Sequence, residues 1–292
     1  MGRISGTSIA LLVILSFIWG SSFILMKLGL HAYSWDQVAA MRISIAGIIF
    51  IPYVIIKFSS IKKFHYIILF ALLEVGIPPF LYTFAQTYVD SGTAGILNSL
   101  VPLFTLLSGV LIFSVKTTFT KVLGVLIGLV GAVLLVIFEQ GSDENVNITN
   151  YHGLLIVFAT LLYGIGGNIL KEKLYDVSSM LITATSFTTL GIPAVIYLLT
   201  TDLLSMPLSD IETLKSFTAI ATLSIFGSAL AIVLLNVLIK KSTALFASFC
   251  TYLIPFVAIF WGMLDGENIN TMHFFSLVLI LFGITIANKR VK

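Results

Sequence analysis

Apolar stretches long enough to cross a bilayer follow one another along this chain with only short polar breaks between them, which leaves little choice of fold. A spanning helix needs about 20 predominantly apolar residues. Ten such runs lie at roughly 8–30, 37–56, 65–88, 91–115, 119–138, 152–173, 178–200, 214–239, 243–264 and 270–288. The breaks are polar: Lys62-Lys63, Lys116 to Lys121, Gly141-Ser142-Asp143-Glu144, Asp210 to Glu212 and Lys240-Lys241. Between the third and fourth runs only Asp90-Ser91-Gly92 intervenes, which predicts a tight antiparallel hairpin. None of the breaks has the length of a soluble domain. The expected fold is therefore an all-α polytopic membrane protein of ten transmembrane helices. Composition agrees: 10% of the 292 residues are charged, against about 25% in a soluble domain, so most of the surface meets lipid. A net charge of +3 gives no reason to expect a nucleic-acid partner. The lone cysteine, Cys250, excludes an internal disulfide. Arg3 and the run after Ile9 resemble the start of a signal peptide, but the run continues to Leu30 without a small-residue cleavage site and reads as a retained helix.

The charges test this count. With the N-terminus in the cytoplasm and ten spans, the inner segments hold Arg3, Lys57, Lys62, Lys63, Lys116, Lys121, Lys171, Lys173, Lys240, Lys241, Lys289, Arg290 and Lys292. The outer loops hold mostly acids: Asp36, Asp90, Glu139, Asp143, Glu144, Asp202, Asp210, Glu212, Asp265 and Glu267. This is the positive-inside pattern, and a missed helix would scramble every loop after it. Both termini are expected to be cytoplasmic, in a cell membrane of bacterial inner-membrane type. In that setting the Asn147-Ile148-Thr149 glycosylation triplet reads as chance.

A weak internal repeat runs through the chain. Trp19-Gly20-Ser21-Ser22 lies on Tyr163-Gly164-Ile165-Gly166 at a shift of 144, and the stretch Ala94 to Pro102 lies on Ala247 to Pro255 at a shift of 153. The halves, 1–140 and 150–292, then hold five helices each. Five is odd, so the second copy enters the membrane from the opposite face. Inverted repeats of this kind place a binding site near the midplane between the halves, and rocking about it gives alternating access.

At these residues the chain resembles the drug/metabolite transporter superfamily, in particular its EamA-type permeases. The resemblance is carried by Trp19-Gly20-Ser21-Ser22-Phe23, by Ser91-Gly92-Thr93-Ala94 through Pro102, and by Tyr252-Leu253-Ile254-Pro255 followed by Leu264-Asp265-Gly266-Glu267. It spans nearly the whole chain and implies a 5+5 inverted-repeat fold around a central cavity, with export of amino acids or other metabolites. One departure stands out. The acid that usually closes the fourth helix is Ser114 here, while Glu267 is kept at the equivalent place in the second half.

Candidate pathway residues follow from polar groups inside the apolar runs. Gly95, Asn98, Pro102, Thr105 and Gly109 share one face of the fourth helix, and Ser248, Thr251, Pro255, Ala258 and Gly262 repeat the spacing in the ninth. Small and polar stripes either pack helices or line a wet cavity. Each proline lacks an N–H and frees the carbonyl four residues earlier, on Asn98 and Thr251, which favours a cavity wall. Trp19, Ser22, Tyr163 and Asn168 are further candidates, as are Tyr82 and Gln86 in the third helix and Asn236 in the eighth. Lys27 is near an outer helix end, from which it can snorkel. Arg42 and Glu74 lie deeper, and ionisable groups at depth are functional candidates. Glu74, roughly 15 Å into its span at about 1.5 Å per residue, is expected to couple transport to protons, the alternative being a permanent ion pair with Arg42. Gly124-xxx-Gly128-xx-Gly131 in the fifth helix reads as intrachain packing in preference to dimerisation; the oligomeric state is left open.

The function expected is secondary transport of a small metabolite, an amino acid or similar, with export by alternating access. A membrane-embedded enzyme would need convergent catalytic groups, yet His31, His65, His152 and His273 fall far apart at loops or helix ends, and no P-loop or metalloprotease motif occurs. A scaffold or receptor could be apolar throughout, unlike these helices. No cofactor or metal is expected; the partners are the lipid bilayer and the substrate.

Overall fold

The computed structural model describes residues 6–138, 151–242, 244–247 and 249–287, and its regular structure is helical: among the described residues no strand occurs. Arg3, Glu139, Asp143, Glu144, the Asn147 triplet, Ser248, Lys289, Arg290 and Lys292 lie outside the described residues. Among the described residues eight helices are long and apolar enough to cross a membrane: α1 (Gly6–Gly29), α2 (Trp35–Ile56), α3 (Phe64–Ala85), α4 (Ser91–Leu111), α5 (Phe119–Phe138), α6 (Gly153–Lys173), α7 (Ser179–Leu199) and α8 (Ile211–Leu235). Two shorter apolar helices follow, α9 (Cys250–Leu264) and α10 (Thr271–Ala287).

Their boundaries come from local chemistry. The Ser34 N–H donates to Gln37 Oε1 at 3.1 Å at the start of α2, and Asp210 accepts from the Thr213 N–H at 2.9 Å at the start of α8, each pairing a donor that the helix leaves free. Two boundaries differ from expectation. Ser91 and Gly92 form the first turn of α4, so the α3–α4 break falls at 86–90. The run 243–264 is not one helix: Ala244–Ala247 is a separate turn and α9 starts at Cys250. Hydropathy alone cannot show such a break, because both pieces are apolar.

Besides α1, where a turn at Ser21 separates Gly6–Gly20 from Ser22–Gly29, three rods depart from regular α-geometry. In α4 the segments Ser91–Asn98 and Val101–Leu111 are separated at 99–100, where Ser99 and Leu100 donate to Ile96 and Leu97 at 3.0 Å. Pro102 offers no N–H to the Asn98 carbonyl, as expected. In α3, Leu72–Gly76 is a π-helical turn, with the Ile77 N–H donating to Leu72; Pro78 and Pro79 follow and remove the donors that would close α-turns on Glu74 and Val75. In α8, Leu223–Leu230 is a longer π-helical stretch. Such turns occur mostly as local bulges, frequently at functional sites.

Side-chain size is sorted inside out. On α5 the glycines Gly124, Gly128 and Gly131 face inward, while Leu126, Val130, Val133 and Ile137 face outward. Small residues let backbones approach, and bulky apolar ones meet lipid. Thus α5 packs along α10, where a Cβ on Gly283 would lie 2.5 Å from the Gly124 carbonyl and 2.6 Å from the Gly128 nitrogen. The intrachain reading of the glycine stripe is the one observed. Likewise α2 packs along α7, Gly47 lying over Phe187 and Gly191. The first helix of each half meets the fourth of the other: α6 packs on α4, and α1 on α9.

Candidate functional site

Arg42, Tyr82, Tyr163 and Glu74, from α2, α3 and α6, meet in the interior. The Tyr82 hydroxyl donates to Asn98 Oδ1 at 2.8 Å, joining α3 to the break in α4. The rings of Tyr82 and Tyr163 stack with centroids 6.1 Å apart. The Arg42 guanidinium lies near both phenols, and its Nη1 lies 3.9 Å from Met26 Sδ. Tyr163 in turn sits in the field of both Arg42 and Glu74. The Glu74 carboxyl lies against Gly166 of α6, where a Cβ would come within 2.6 Å of Oε1. Tyr82 is buried, whereas Arg42, Glu74, Asn98 and Tyr163 keep partial access. Among the described residues neither Arg42 nor Glu74 has an ion-pair partner. The Arg42–Glu74 pair weighed from the sequence is therefore not formed here.

Other candidates hold the bundle together. Asn168 is buried, its amide donating to the Thr105 carbonyl at 2.7 Å, to Ser108 Oγ at 3.0 Å and to the Gly164 carbonyl at 3.1 Å, so it clamps α6 to α4. Gln86 donates to the Phe23 carbonyl at 3.0 Å, tying α3 to α1. Ser22 bonds back to Ile18 within α1. Trp19, half-buried, donates through Nε1 to the Gly227 carbonyl at 3.2 Å, inside the π-helical stretch of α8. The inward stripes also pack: Gly95 lies against Ala258, and Gly262 against Glu267. Pro102 and Thr251 are half-buried and Pro255 is buried. Asn236 lies in the helical continuation of α8, and its side chain is outside the described residues.

Lys27 is ion-paired. Its Nζ lies 2.7 Å from Asp265 Oδ2 and 2.8 Å from Glu267 Oε1. Glu267, its side chain 1% exposed, also accepts from the Ser91 and Gly92 N–H groups at 2.8 and 2.9 Å. Asp90 lies beside this group, and burial, then the Glu267 charge, raise its carboxyl above the ordinary aspartate range. The sequence marked Glu267 only as a motif residue; its partner lies 240 residues away, a separation no local pattern encodes. The π-helical turns were missed too, although Pro78-Pro79 was a signal for the first.

Apolar helices with bulky faces outward, enclosing ionisable groups that have no ion-pair partner among the described residues, are the features of a multi-pass membrane protein with an interior site. The chain belongs to the EamA-like transporter family, whose model matches residues 6–137 and again 151–289. It is 25% identical over 277 residues to the uncharacterized inner membrane transporter YedA of Escherichia coli, covering 93% of this chain and 87% of that one. It is 24% identical over 288 residues to an S-adenosylmethionine/S-adenosylhomocysteine transporter of Chlamydia trachomatis, covering 94% and 87%. A crystallographically determined chain superimposes with a TM-score of 0.64 over 97% of this chain and 96% of its own length; at 14% identity this shows shared fold alone.

Proposed function

We propose that this transporter exports an amino-acid-like metabolite by alternating access, with Arg42 receiving an anionic group such as a carboxylate, Tyr82, Asn98 and Tyr163 orienting the substrate, and Glu74 carrying the coupling proton. The observation that carries this reading is that the interior charges Arg42 and Glu74 have no ion-pair partner among the described residues. Withdrawing a charge from water without a partner carries a desolvation penalty, and a ligand group or a proton relieves it. The relatives that carry S-adenosylmethionine fit the same reading, since that compound bears an amino-acid carboxylate.

Ten spans in two inverted repeats, both termini cytoplasmic, complete the proposal. At 15 and 17 residues, α9 and α10 reach about 22–26 Å at 1.5 Å per residue, and the Ala244–Ala247 turn lengthens the α9 path. The two sequence shifts are mirrored in packing. A Cβ on Gly20 would lie 2.5 Å from Val257, and one on Gly164 would lie 2.6 Å from the carbonyl carbon of Phe104; these positions are related by the same 144 and 153 residues as the repeat. Both third helices, α3 and α8, carry π-helical turns.

Glu74→Gln, which mimics the protonated acid, tests the coupling. In proteoliposomes it is expected to abolish substrate uptake driven by a pH gradient while preserving substrate exchange. Unchanged gradient-driven uptake would overturn the assignment.

A further inference from the structure

Glu267 occupies a built seat. Its carboxylate is fixed on one side by the Lys27 ammonium and on the other by the first two amides of α4. Gly92 and Gly262 leave room for it: a Cβ on Gly92 would lie 3.2 Å from Oε2, and one on Gly262 would overlap it. Asp265 holds Lys27 from the other side at 2.7 Å, and His273 at the head of α10 reaches Thr93 Oγ1 at 3.1 Å. Three elements are thereby tied at one end of the bundle, α1 and α4 from the first half and the α9–α10 loop from the second.

The opposite end lacks this construction. The repeat places Lys171 where Lys27 stands and Ser114 where Glu267 stands, at shifts of 144 and 153. Aligning the two loops instead by their left-handed residues, Ser114 at φ 55° and Gly266 at φ 82°, puts Val115 opposite Glu267. Neither is an acid. The Lys171 side chain is 70% exposed, 3.8 Å from its own neighbour Glu172. What bridges that end is the exposed pair Lys63–Asp176 at 2.7 Å, with Lys63 also donating to the Lys173 carbonyl at 2.9 Å. A buried charge network held by backbone amides resists opening more than an exposed pair screened by water.

We propose that Glu267, clamped between Lys27 and the N-terminus of α4, is the latch that holds this end of the pathway shut, and that the opposite end opens more readily because it has no counterpart. The proposal rests on the alternating-access reading above. In that cycle, opening the latched end requires the Lys27–Glu267 contact to break, so weakening it exposes the interior from that face alone.

The test follows the reactivity of Asn98→Cys, in a Cys250→Ser background, with an impermeant maleimide applied to each membrane face. Glu267→Gln and Lys27→Met are expected to raise the rate from the latched face roughly tenfold, the population shift that about 1.4 kcal/mol produces, without raising it from the opposite face. Lys27→Arg, which keeps the charge, is expected to match the parent. Ser114→Glu offers Lys171 an acid and is expected to slow reaction from the opposite face. Equal rates for Glu267→Gln and parent, with Asn98→Cys still reactive, overturn the latch and leave alternating access standing. Faster reaction from both faces marks general loosening and also overturns the latch. An Asn98→Cys inert from both faces in every variant overturns the access reading and the latch with it.

Discussion

Arg42 sits among two tyrosines and a methionine and, among the described residues, has no ion-pair partner. Breaking a buried ion pair destabilises a protein by about 3–5 kcal/mol, whereas removing a partly desolvated charge that has no partner relieves a penalty. Arg42→Gln is therefore expected to leave the apparent melting temperature in detergent unchanged or higher, while raising KM for a carboxylate substrate at least about tenfold, the loss of one charge-assisted contact of about 1.5–3 kcal/mol. A melting temperature lowered by several degrees with KM intact would show that Arg42 holds the fold and not the substrate. At this scale the sequence was informative where chemistry stands out against its surroundings. Arg42, Glu74, Tyr82 and Tyr163 were visible as ionisable or aromatic groups in apolar runs, and they do meet. Asn168 and Gln86 looked the same on paper yet bond to backbone carbonyls of neighbouring helices. A polar residue in a span serves packing or a cavity by identical sequence signals; only its neighbours across the bundle distinguish the two.

Among the elements, α5 and α10 show how glycines place one helix on another. Gly283 meets Gly124 and Gly128 backbone to backbone, so a larger side chain forces the helices apart. Gly283→Leu is expected to cost about 1–3 kcal/mol or more through overpacking, read as a lower unfolding midpoint in detergent. Leu126→Ala, on the outward face of α5, is expected to stay within about 0.5 kcal/mol. Equal effects from the two changes would mean that α5 is rotated from the orientation seen here. Helix positions were legible because apolar length is the signal that lipid demands. Irregularities inside a helix were not read from the sequence: Pro102 pointed only to a freed Asn98 carbonyl, Pro78-Pro79 was a signal left unread beside the π-helical turn in α3, and Leu223–Leu230 of α8 contains no proline at all.

For the molecule as a whole, the charge alternation argues that the loop containing Asp202 lies outside and the loop containing Lys62 inside. In a Cys250→Ser background, Ser205→Cys is expected to react with an impermeant maleimide on intact cells, and Ser60→Cys to react only after permeabilisation. The reverse pattern would invert the orientation proposed here. The pairing of α5 with α10 and of α2 with α7 has a consequence for how the protein is made. Each of these partners is translated well after the helix it packs against. Between the last residue of α5 and the first of α10 the ribosome needs roughly 10 s at about 5–20 residues per second. During that interval the part of the glycine face of α5 not covered by Leu103 of α4 can lie against lipid, which costs it little because lipid tails are as apolar as the eventual neighbour. Thus α5 waits for its partner until the last described helix is made, whereas α2 and α4 can meet α7 and α6 earlier.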